Sequence, residues 1–186
     1  MQEIKLSIPA EDENTLRSLR AGDKVLLSGV VYTARDAAHK RLINALDRRD
    51  ELPVNLKNQF IYYVGPAPAK PGRECGSAGP TTSGRVDDYT PKLLDLGLKG
   101  MIGKGFRNKA VVESMKKNGA VYFAAVGGAA ALIARSIKKA EVVCYDDLGT
   151  EAIHKFTIEN FPAIVAIDSM GNNLYESEPP KYVVND

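Results

Sequence analysis

The stretch KGMIGKGFRNKAVVESMKKNGAVYFAAVGGAAALIARSIKKAEVVCY, residues 99–145, alternates short apolar runs with longer segments of helical character. The runs KGMI, AVYFAAV and EVVCY predict strands, because each is short and largely apolar. Residues 108–118 predict a helix with Gly119 just beyond its end, and an alanine-rich helix is expected after residues 127–128. Strand–helix alternation of this kind is typical of a parallel sheet with helices packed on it.

The segments before this stretch repeat the pattern. Residues 4–8 alternate apolar and polar side chains and predict a strand, and Asp12 is placed to cap a short helix after it. The run KVLLSGVVYT, residues 24–33, predicts a buried strand, and residues 35–49 have the spacing of an amphipathic helix. A further strand and a further helix are predicted over residues 59–64 and 87–96.

The last third of the chain also favours strands. AIHKFTIENFPAIVAIDSMGNNLYE, residues 152–176, alternates well enough to predict strands joined by a turn at Gly171-Asn172. Because both ends of the chain are rich in strand patterns, a second sheet layer is expected. The predicted fold class is therefore α/β, a single domain over residues 1–186 with layered sheets and with helices packed on a partly parallel sheet.

Composition narrows the classes of function. The chain has 186 residues, of which 44% are hydrophobic and 26% charged, as in a soluble globular domain. No apolar run reaches the roughly 18 residues of a membrane span, and the amino terminus has no apolar signal segment, so a cytoplasmic protein is expected. The net charge of +2 is small and its basic residues are interleaved with acidic ones, which argues against nucleic acid but leaves small anions open.

Cysteine and histidine are too few for a metal centre of the usual spacing. Cys75 and Cys144 make no disulfide framework, and neither they nor His39 and His154 form a CxxC or HxxxH pattern. An iron–sulfur cluster held by three or four cysteines therefore cannot be supplied by this chain alone. Neither histidine has a neighbouring serine or aspartate for nucleophilic catalysis, and His39 is expected on the helix face near Arg35.

The segment GPAPAKPGRECGSAGPTTSG, residues 65–84, is rich in glycine and proline and predicts a long loop. Such a loop is either functional or a low-complexity linker, and its three hydroxyls, Thr81, Thr82 and Ser83, followed by Arg85, favour function. Glycines beside these residues allow the backbone to approach a ligand closely, while Arg85 adds a fixed positive charge. The alternative is a helix cap made by Thr82 or Ser83.

Two other segments place a cation where a strand meets a helix. Arg35 lies in TARDAAH between an apolar strand and an amphipathic helix, where it could bind a carboxylate through two parallel hydrogen bonds. Lys104 lies between glycines in MIGKGFRN, which lacks the spacing of a P-loop. Solvated surface cations are the alternative for both. Residues 127–128 resemble a dinucleotide fingerprint only faintly, and close helix–sheet packing explains them better.

Taken together, ARDAAHKRL, IYYVGPAPAKPG, GSAGPTTSGRVDDY, MIGKG, GAVYFAAVGGAAAL and residues 145–175 resemble the C-terminal domain of class I, iron–sulfur-dependent fumarate hydratases. In some organisms this domain is a separate β subunit, and tartrate dehydratases are close relatives. The combination of GPTTSGR with RDAAH is the most specific part of the resemblance, which covers nearly the whole chain in order. It implies a swivelling β/β/α domain.

The resemblance also implies an activity and a partner. The family adds water to fumarate to give (S)-malate, or acts on tartrate and methylated analogues, with a 4Fe–4S cluster carried by a cysteine-bearing α subunit or domain. By the same resemblance, Arg35, Arg85 and Lys104 match the ligands of the substrate carboxylates, and Thr81 matches the proposed catalytic base. A small dicarboxylate substrate, a hetero-oligomer and no metal bound by this chain alone are therefore expected.

Three departures from the family pattern bear on the substrate. Val86 stands where methionine usually follows the arginine, Phe106 stands where asparagine is frequent, and Cys75 has no family role. The first two are expected to reshape the pocket, which leaves fumarate, tartrate and mesaconate as alternatives. A non-catalytic anion-binding module of the same fold is a further alternative, although such a module would have little use for Thr81.

Overall fold

The computed structural model describes residues 3–10, 12–126 and 129–182. Over these residues it contains the strands β1 (Ile4–Ile8), β2 (Lys24–Thr33), β3 (Phe60–Tyr62), β4 (Gly100–Gly103), β5 (Val121–Ala124), β6 (Ile137–Cys144) and β7 (Ile153–Ile167). The α-helices are α1 (Glu13–Ser18), α2 (Asp36–Asp47), α3 (Thr90–Asp95), α4 (Lys109–Asn118), α5 (Ala130–Ile133) and α6 (Leu174–Ser177). Short 3-10 turns occupy Ser83–Val86, Ala134–Ser136, Asp146–Glu151 and Pro179–Tyr182.

The strands form one sheet that closes on itself. Its order is β1-β2-β3-β4-β5-β7-β6, and the first five strands are each parallel to their neighbours. The long strand β7 runs antiparallel to β5 and β6 and also pairs with β2, from Lys24 opposite Ile164 to Tyr32 opposite Lys155. The predicted α/β class and partly parallel sheet are confirmed. The expected second sheet layer is not a separate sheet among the described residues, because β1, β6 and β7 belong to this same sheet and β7 is long enough to pair along both edges.

The last third of the chain differs from the prediction in the number of strands and in the type of its final element. Residues 153–167 form one continuous strand, and the segment after the turn is helix α6 instead of a strand. The turn forms because the Asp168 carboxylate accepts hydrogen bonds from the amides of Met170 and Asn172, and Asn173 then caps α6 by accepting from the amide of Tyr175.

The helix predicted over residues 87–96 is shorter than expected. A 3-10 turn over Ser83–Val86 precedes α3, which begins at Thr90 with a proline in its first turn. The Asp87 carboxylate does not cap this helix, because it binds Arg107 and the amide of Asn108 instead. Residues 127–128, where a glycine turn was predicted before the alanine-rich helix, lie outside the described residues.

Alternating side chains of the sheet divide between two hydrophobic clusters. In and just after β3, Phe60 and Tyr62 belong to one cluster, and Ile61 and Tyr63 belong to the other. The first cluster joins β1, β2 and β7 to α1 and α5, whereas the second lies under α2, α3 and α4. No helix in the part of the chain that the structure describes is both long and apolar enough to cross a membrane.

A buried ion pair joins α3, β4 and α4. The Arg107 side chain is fully buried, and its Nε lies 2.6 Å from Asp87 Oδ1 while Nη2 donates to Thr90 Oγ1 at 2.7 Å. Its guanidinium also lies 5.2 Å from the ring centroids of both Tyr63 and Tyr122. Asp87 in turn accepts from the amide of Asn108 at 2.6 Å, so both charges are satisfied in the interior.

We expect Arg107→Met to destabilise the protein by about 3 kcal/mol or more, because it leaves the buried Asp87 carboxylate without its cation. The measurement is the free energy of unfolding from urea denaturation. Arg48→Met is the matched control, since Arg48 pairs with Asp50 at 2.9 Å on the surface, where such a pair contributes below about 1 kcal/mol. Equal losses in the two variants would contradict a structural role for the buried pair.

Candidate active site

The four residues singled out in the sequence line one cavity. Arg35, Thr81, Arg85 and Lys104 surround a volume of about 380 Å³, together with Gly65, Gly79, Pro80 and Thr82. Arg35 lies two residues after the end of β2 and directly precedes α2, Lys104 directly follows β4, and the remaining residues come from the long loop after β3. The cavity therefore lies at the carboxyl ends of parallel strands, which is where α/β folds place ligands.

Backbone hydrogen bonds attach the hydroxyl-rich loop to the ends of β3 and β4. The amide of Thr81 donates to the carbonyl of Tyr63 at 2.7 Å, and the amide of Ser83 donates to the carbonyl of Lys104 at 2.9 Å. Thr82 forms a parallel bridge with Lys104. Residues 81–83 thus lie as a short extension of the sheet between the two strand ends, and this fixes Thr81 at the cavity.

The three hydroxyls have different roles in the structure. Ser83 is buried, and its Oγ lies 2.9 Å from the Tyr122 hydroxyl, so it holds the loop and does not line the cavity. Thr82 is at the cap position of the 3-10 turn, but its side chain makes no capping hydrogen bond. Capping therefore accounts for none of the three hydroxyls, and Thr81 and Thr82 line the cavity.

Gly103 makes the close approach of the loop possible. A Cβ atom at this position would lie 2.0 Å from Ser83 Oγ and 2.9 Å from the Tyr63 ring. The next glycine, Gly105, has a φ of +83°, donates from its amide to the Tyr175 hydroxyl at 3.1 Å and accepts from the Tyr122 hydroxyl at 3.0 Å. Lys104 is exposed, but its backbone is held on both sides.

Arg35 occupies the cap position of α2 and is surrounded by groups that the sequence did not indicate. Its side chain passes over Gly65, where a Cβ would lie 2.9 Å from Arg35 Cδ and 3.0 Å from the carbonyl oxygen of Thr150. Glu151 Oε1 lies 3.5 Å from Arg35 Nη2. Glu151 was missed because it belongs to a distant segment, 114 residues from its hydrogen-bond partner Ala37, and no local motif marks it.

The two histidines lie outside the cavity lining. His39 is buried in α2, as expected near Arg35, and its Nδ1 lies 2.8 Å from the carbonyl oxygen of Arg35. Burial lowers the pKa of His39 to about 4, so the ring is neutral at pH 7. Half-burial also lowers the pKa of His154, whose Nδ1 lies 3.0 Å from the Ala152 carbonyl oxygen.

The described residues contain no group of three or more histidine, cysteine, aspartate and glutamate side chains that could hold a metal ion. Cys75 is buried and Cys144 is half-buried, and both thiols are free. Burial raises the pKa of each thiol, which keeps the sulfur protonated at neutral pH. What the cavity offers instead is three cationic side chains and the Thr81 hydroxyl, an arrangement suited to a small anion.

Comparisons with known proteins agree with the earlier resemblance. Residues 1–178 match the family described as "Fumarase C-terminus". The chain is 41% identical over 167 residues to the "Putative L(+)-tartrate dehydratase subunit beta" of Methanocaldococcus jannaschii, which covers 87% of this chain and 86% of that protein.

Longer relatives match over a smaller share of their own length. The chain is 41% identical over 155 residues to "Fumarate hydratase class I, aerobic" of Escherichia coli K12, covering 82% of this chain and 28% of that protein. It is 39% identical over 156 residues to "Fumarate hydratase 2" of Leishmania major, covering 83% of this chain and 28% of that protein. The chain thus spans little more than a quarter of the length of these fumarate hydratases.

The buried imidazole of His39 predicts a pH dependence of stability. Because its folded pKa of about 4 is below the ordinary value of 6.5, the unfolded chain binds a proton that the folded chain excludes. The His39 contribution is therefore complete above pH 6.5 and is lost as the pH falls toward 4. Between pH 7.5 and 4.5 we expect wild type to lose on the order of 2–3 kcal/mol more unfolding free energy than His39→Gln.

Urea denaturation at a series of pH values measures this difference. His154→Gln is the matched control, because His154 is only half-buried and its removal should flatten the pH dependence less. Arg107, Asp36 and the carbonyl of Arg35 are the charged and polar groups acting on His39, and all are retained in the variant. An unchanged slope in His39→Gln would contradict a neutral, buried imidazole.

Proposed function

This chain belongs to the fumarase C-terminus family, and we propose that it is the β subunit of an iron–sulfur-dependent hydro-lyase that reversibly hydrates fumarate to (S)-malate. The observation that carries the proposal is the convergence of Arg35, Arg85 and Lys104 around one cavity that also contains Thr81. We also propose that the closed sheet with helices over one cluster is a swivelling β/β/α domain, which would close over a partner.

The charges of the cavity suit a dicarboxylate. An arginine can bind a carboxylate with two parallel hydrogen bonds, and a lysine adds a point charge that requires less exact geometry. Removal of a proton from the carbon beside a carboxylate places a second negative charge on that carboxylate group. Cations already aimed at it therefore stabilise the transition state more than the ground state, which is the requirement for catalysis.

Thr81 is the proposed proton-transfer group. In the dehydration direction its Oγ1, as an alkoxide, takes the proton from the carbon beside one carboxylate of malate, and the hydroxyl departs from the neighbouring carbon as hydroxide. The hydroxide takes up a proton to become water, Thr81 releases the proton it received, and fumarate is left; the reverse sequence hydrates fumarate. A threonine hydroxyl is a weak acid, and the positive charges of Arg35, Arg85 and Lys104 around the same cavity favour its ionised form.

The chain's own residues do not fit a 4Fe–4S cluster. Cys75 and Cys144 are the cysteines of the sequence, and the residues described in the structure offer no metal-binding group. We propose that a cysteine-bearing α subunit carries the cluster and that the cluster supplies the Lewis acid at the substrate hydroxyl. The proteins would then form a hetero-oligomer with a shared active site, in the cytoplasm, without nucleic acid or membrane.

Tartrate dehydration is a second candidate function. It is favoured by the similarity to the putative tartrate dehydratase β subunit of M. jannaschii, because the match covers 86% of that protein's length. Val86 and Phe106, the two departures that were expected to reshape the pocket, lie in different surroundings in the structure. Val86 is buried, with 1% of its surface exposed, and does not line the cavity, so direct contact between Val86 and the substrate is not expected. Phe106 is 66% exposed, follows Lys104 and Gly105 and contacts the Tyr175 ring, and it is the better candidate for substrate selection.

The experiment that tests the proposal is co-expression with a cysteine-bearing hydratase α subunit from a neighbouring gene, followed by anaerobic cluster reconstitution. Hydration and dehydration are then assayed with fumarate, tartrate and mesaconate. Activity only in the reconstituted pair, with no iron–sulfur absorbance from this chain alone, is the expected result. Binding of dicarboxylates without turnover of any of them would favour the anion-binding module instead.

We expect Arg85→Lys to lower kcat/KM of the assembled enzyme by about 10²-fold, because lysine keeps the charge but loses the paired hydrogen bonds to a carboxylate. Steady-state kinetics with the preferred substrate measures the change. Arg73→Lys is the control, since Arg73 is an exposed arginine of the same loop that does not line this cavity. Equal kinetics in the two variants would remove Arg85 from the site.

Thr81→Ala separates proton transfer from binding. We expect kcat to fall by about 10²-fold or more with KM within a few-fold of wild type, because a proton-transfer group acts mainly in the transition state. Thr81→Ser keeps the hydroxyl and should retain more activity than alanine. If kcat of Thr81→Ala stayed near wild type, the base would have to come from the partner subunit.

A further inference from the structure

The Arg35 side chain lies close to Gly65, Asp36 and Glu151 where it lines the cavity. A Cβ at Gly65 would lie 2.9 Å from Arg35 Cδ and 3.0 Å from its Nη1, Asp36 Oδ2 lies 4.0 Å from its Nε, and Glu151 Oε1 lies 3.5 Å from its Nη2. The side chains of Arg35 and Glu151 are 26% and 25% exposed, so the pair is largely withdrawn from solvent. Glu151 does not line the cavity itself.

Glu151 has a second contact at the same place. Its Oε2 accepts a hydrogen bond from the amide of Ala37 at 2.9 Å, in the first turn of α2. The residue at the cap position of this helix is Arg35, whose side chain makes no capping hydrogen bond. Glu151 therefore supplies from a distant segment the acceptor that a cap residue usually provides, while its other oxygen faces the guanidinium.

The segment that carries Glu151 is attached to α2 at a second point. Asp147, in the same 3-10 turn, forms a two-pronged ion pair with Arg41, one branch of which is Nη1 to Oδ1 at 2.7 Å. The Tyr145 ring lies 5.2 Å from the Arg41 guanidinium. Residues 145–151 thus contact the first half of α2 at two points. The Asp147 carboxylate binds Arg41, and the Glu151 carboxylate lies against Arg35 and Ala37.

We propose that Glu151 is a positioning residue for the proposed reaction: it holds the Arg35 guanidinium at the orientation in which its free donors face the cavity. The inference rests on the proposed function for its consequence in catalysis, but the orientation itself is a property of this chain. An arginine has many rotatable bonds, and one held in place before substrate arrives loses less entropy on binding.

Charge gives Glu151 a second effect that opposes the first. A carboxylate near Arg35 reduces the positive potential that attracts a dianion, so its neutralisation alone should strengthen substrate binding. Loss of orientation should weaken substrate binding and should weaken the transition state more, because the second negative charge develops on the carboxylate there. A substitution that does both will therefore lower kcat while leaving KM nearly unchanged, a pattern that a general loss of stability would not produce.

The test compares Glu151→Gln with Asp147→Asn. Both substitutions remove one negative charge from the same 3-10 turn and weaken its attachment to the same helix, but only the first changes the surroundings of Arg35. We expect Glu151→Gln to lower kcat of the assembled enzyme by about tenfold or more, as misplaced catalytic groups commonly do. Asp147→Asn should leave kcat within about twofold of wild type.

A readout besides activity comes from the chain alone. The Nε–Hε signal of Arg35 in a ¹H–¹⁵N correlation spectrum, assigned with Arg35→Lys, should shift and broaden in Glu151→Gln and stay in place in Asp147→Asn. A double-mutant cycle completes the test: once Arg35 is replaced by alanine, Glu151→Gln should change kcat no further. If Glu151→Gln lowered kcat as much in the Arg35→Ala background as in wild type, the proposal would be wrong.

The outcomes distinguish this inference from the proposed function. If no reconstituted wild-type pair hydrates any dicarboxylate, the function fails, while a changed Arg35 signal in Glu151→Gln alone still supports the positioning role. If wild type is active and both variants behave alike in kinetics and in the Arg35 signal, Glu151 only attaches the turn to α2. The inference is then wrong and the function stands.

Discussion

Two backbone hydrogen bonds, from Thr81 to Tyr63 and from Ser83 to Lys104, determine where the cavity can form. They place an irregular, glycine-rich loop across the ends of β3 and β4, and Gly103 leaves the room for it. Below them the Arg107–Asp87 pair holds the following turn against β4 and α4. The position of Thr81 therefore depends on backbone groups at the ends of β3 and β4 and on a buried ion pair that does not line the cavity.

The closed sheet explains how distant segments meet at one place. Because β7 pairs with β2 along most of its length, the turn that precedes β7 is brought beside the helix that follows β2. Glu151 and Asp147 reach α2 in this way, although they follow it by more than a hundred residues. The long strand thus connects the stability of the sheet to the arrangement of the arginine at its edge.

Local sequence patterns correctly predicted the elements that are determined mainly by their own residues. β2 has the predicted bounds, and α4 begins after the cap Asn108 and ends at Gly119 with a left-handed backbone, as glycine allows. The helix at residues 87–96 was placed too early because Asp87 is used by a partner 20 residues away. The LYE segment after the turn was read as a strand, although an asparagine cap is a local signal for a helix.

The same division holds at the cavity. Arg35 and Lys104 were found because they lie where a strand meets a helix, and Thr81 and Arg85 because they lie in an unusual loop that matches a known family. Glu151 and Arg107 act through contacts across the fold, which leave no periodic or compositional trace in one sequence. Val86 was expected to reshape the pocket because it stands where the family usually has methionine after the arginine, and the structure places it in the core at the end of the turn over Ser83–Val86.

The unequal exposure of the three cations has a consequence for how the cavity responds to ionic strength. Arg85 and Lys104 are exposed, so dissolved ions screen their attraction for an approaching anion over a Debye length of about 8 Å at 0.15 M. Arg35, with 26% of its side chain exposed, is less accessible to such ions. Added salt should therefore weaken the attraction of Arg85 and Lys104 for an anion more than it weakens that of Arg35.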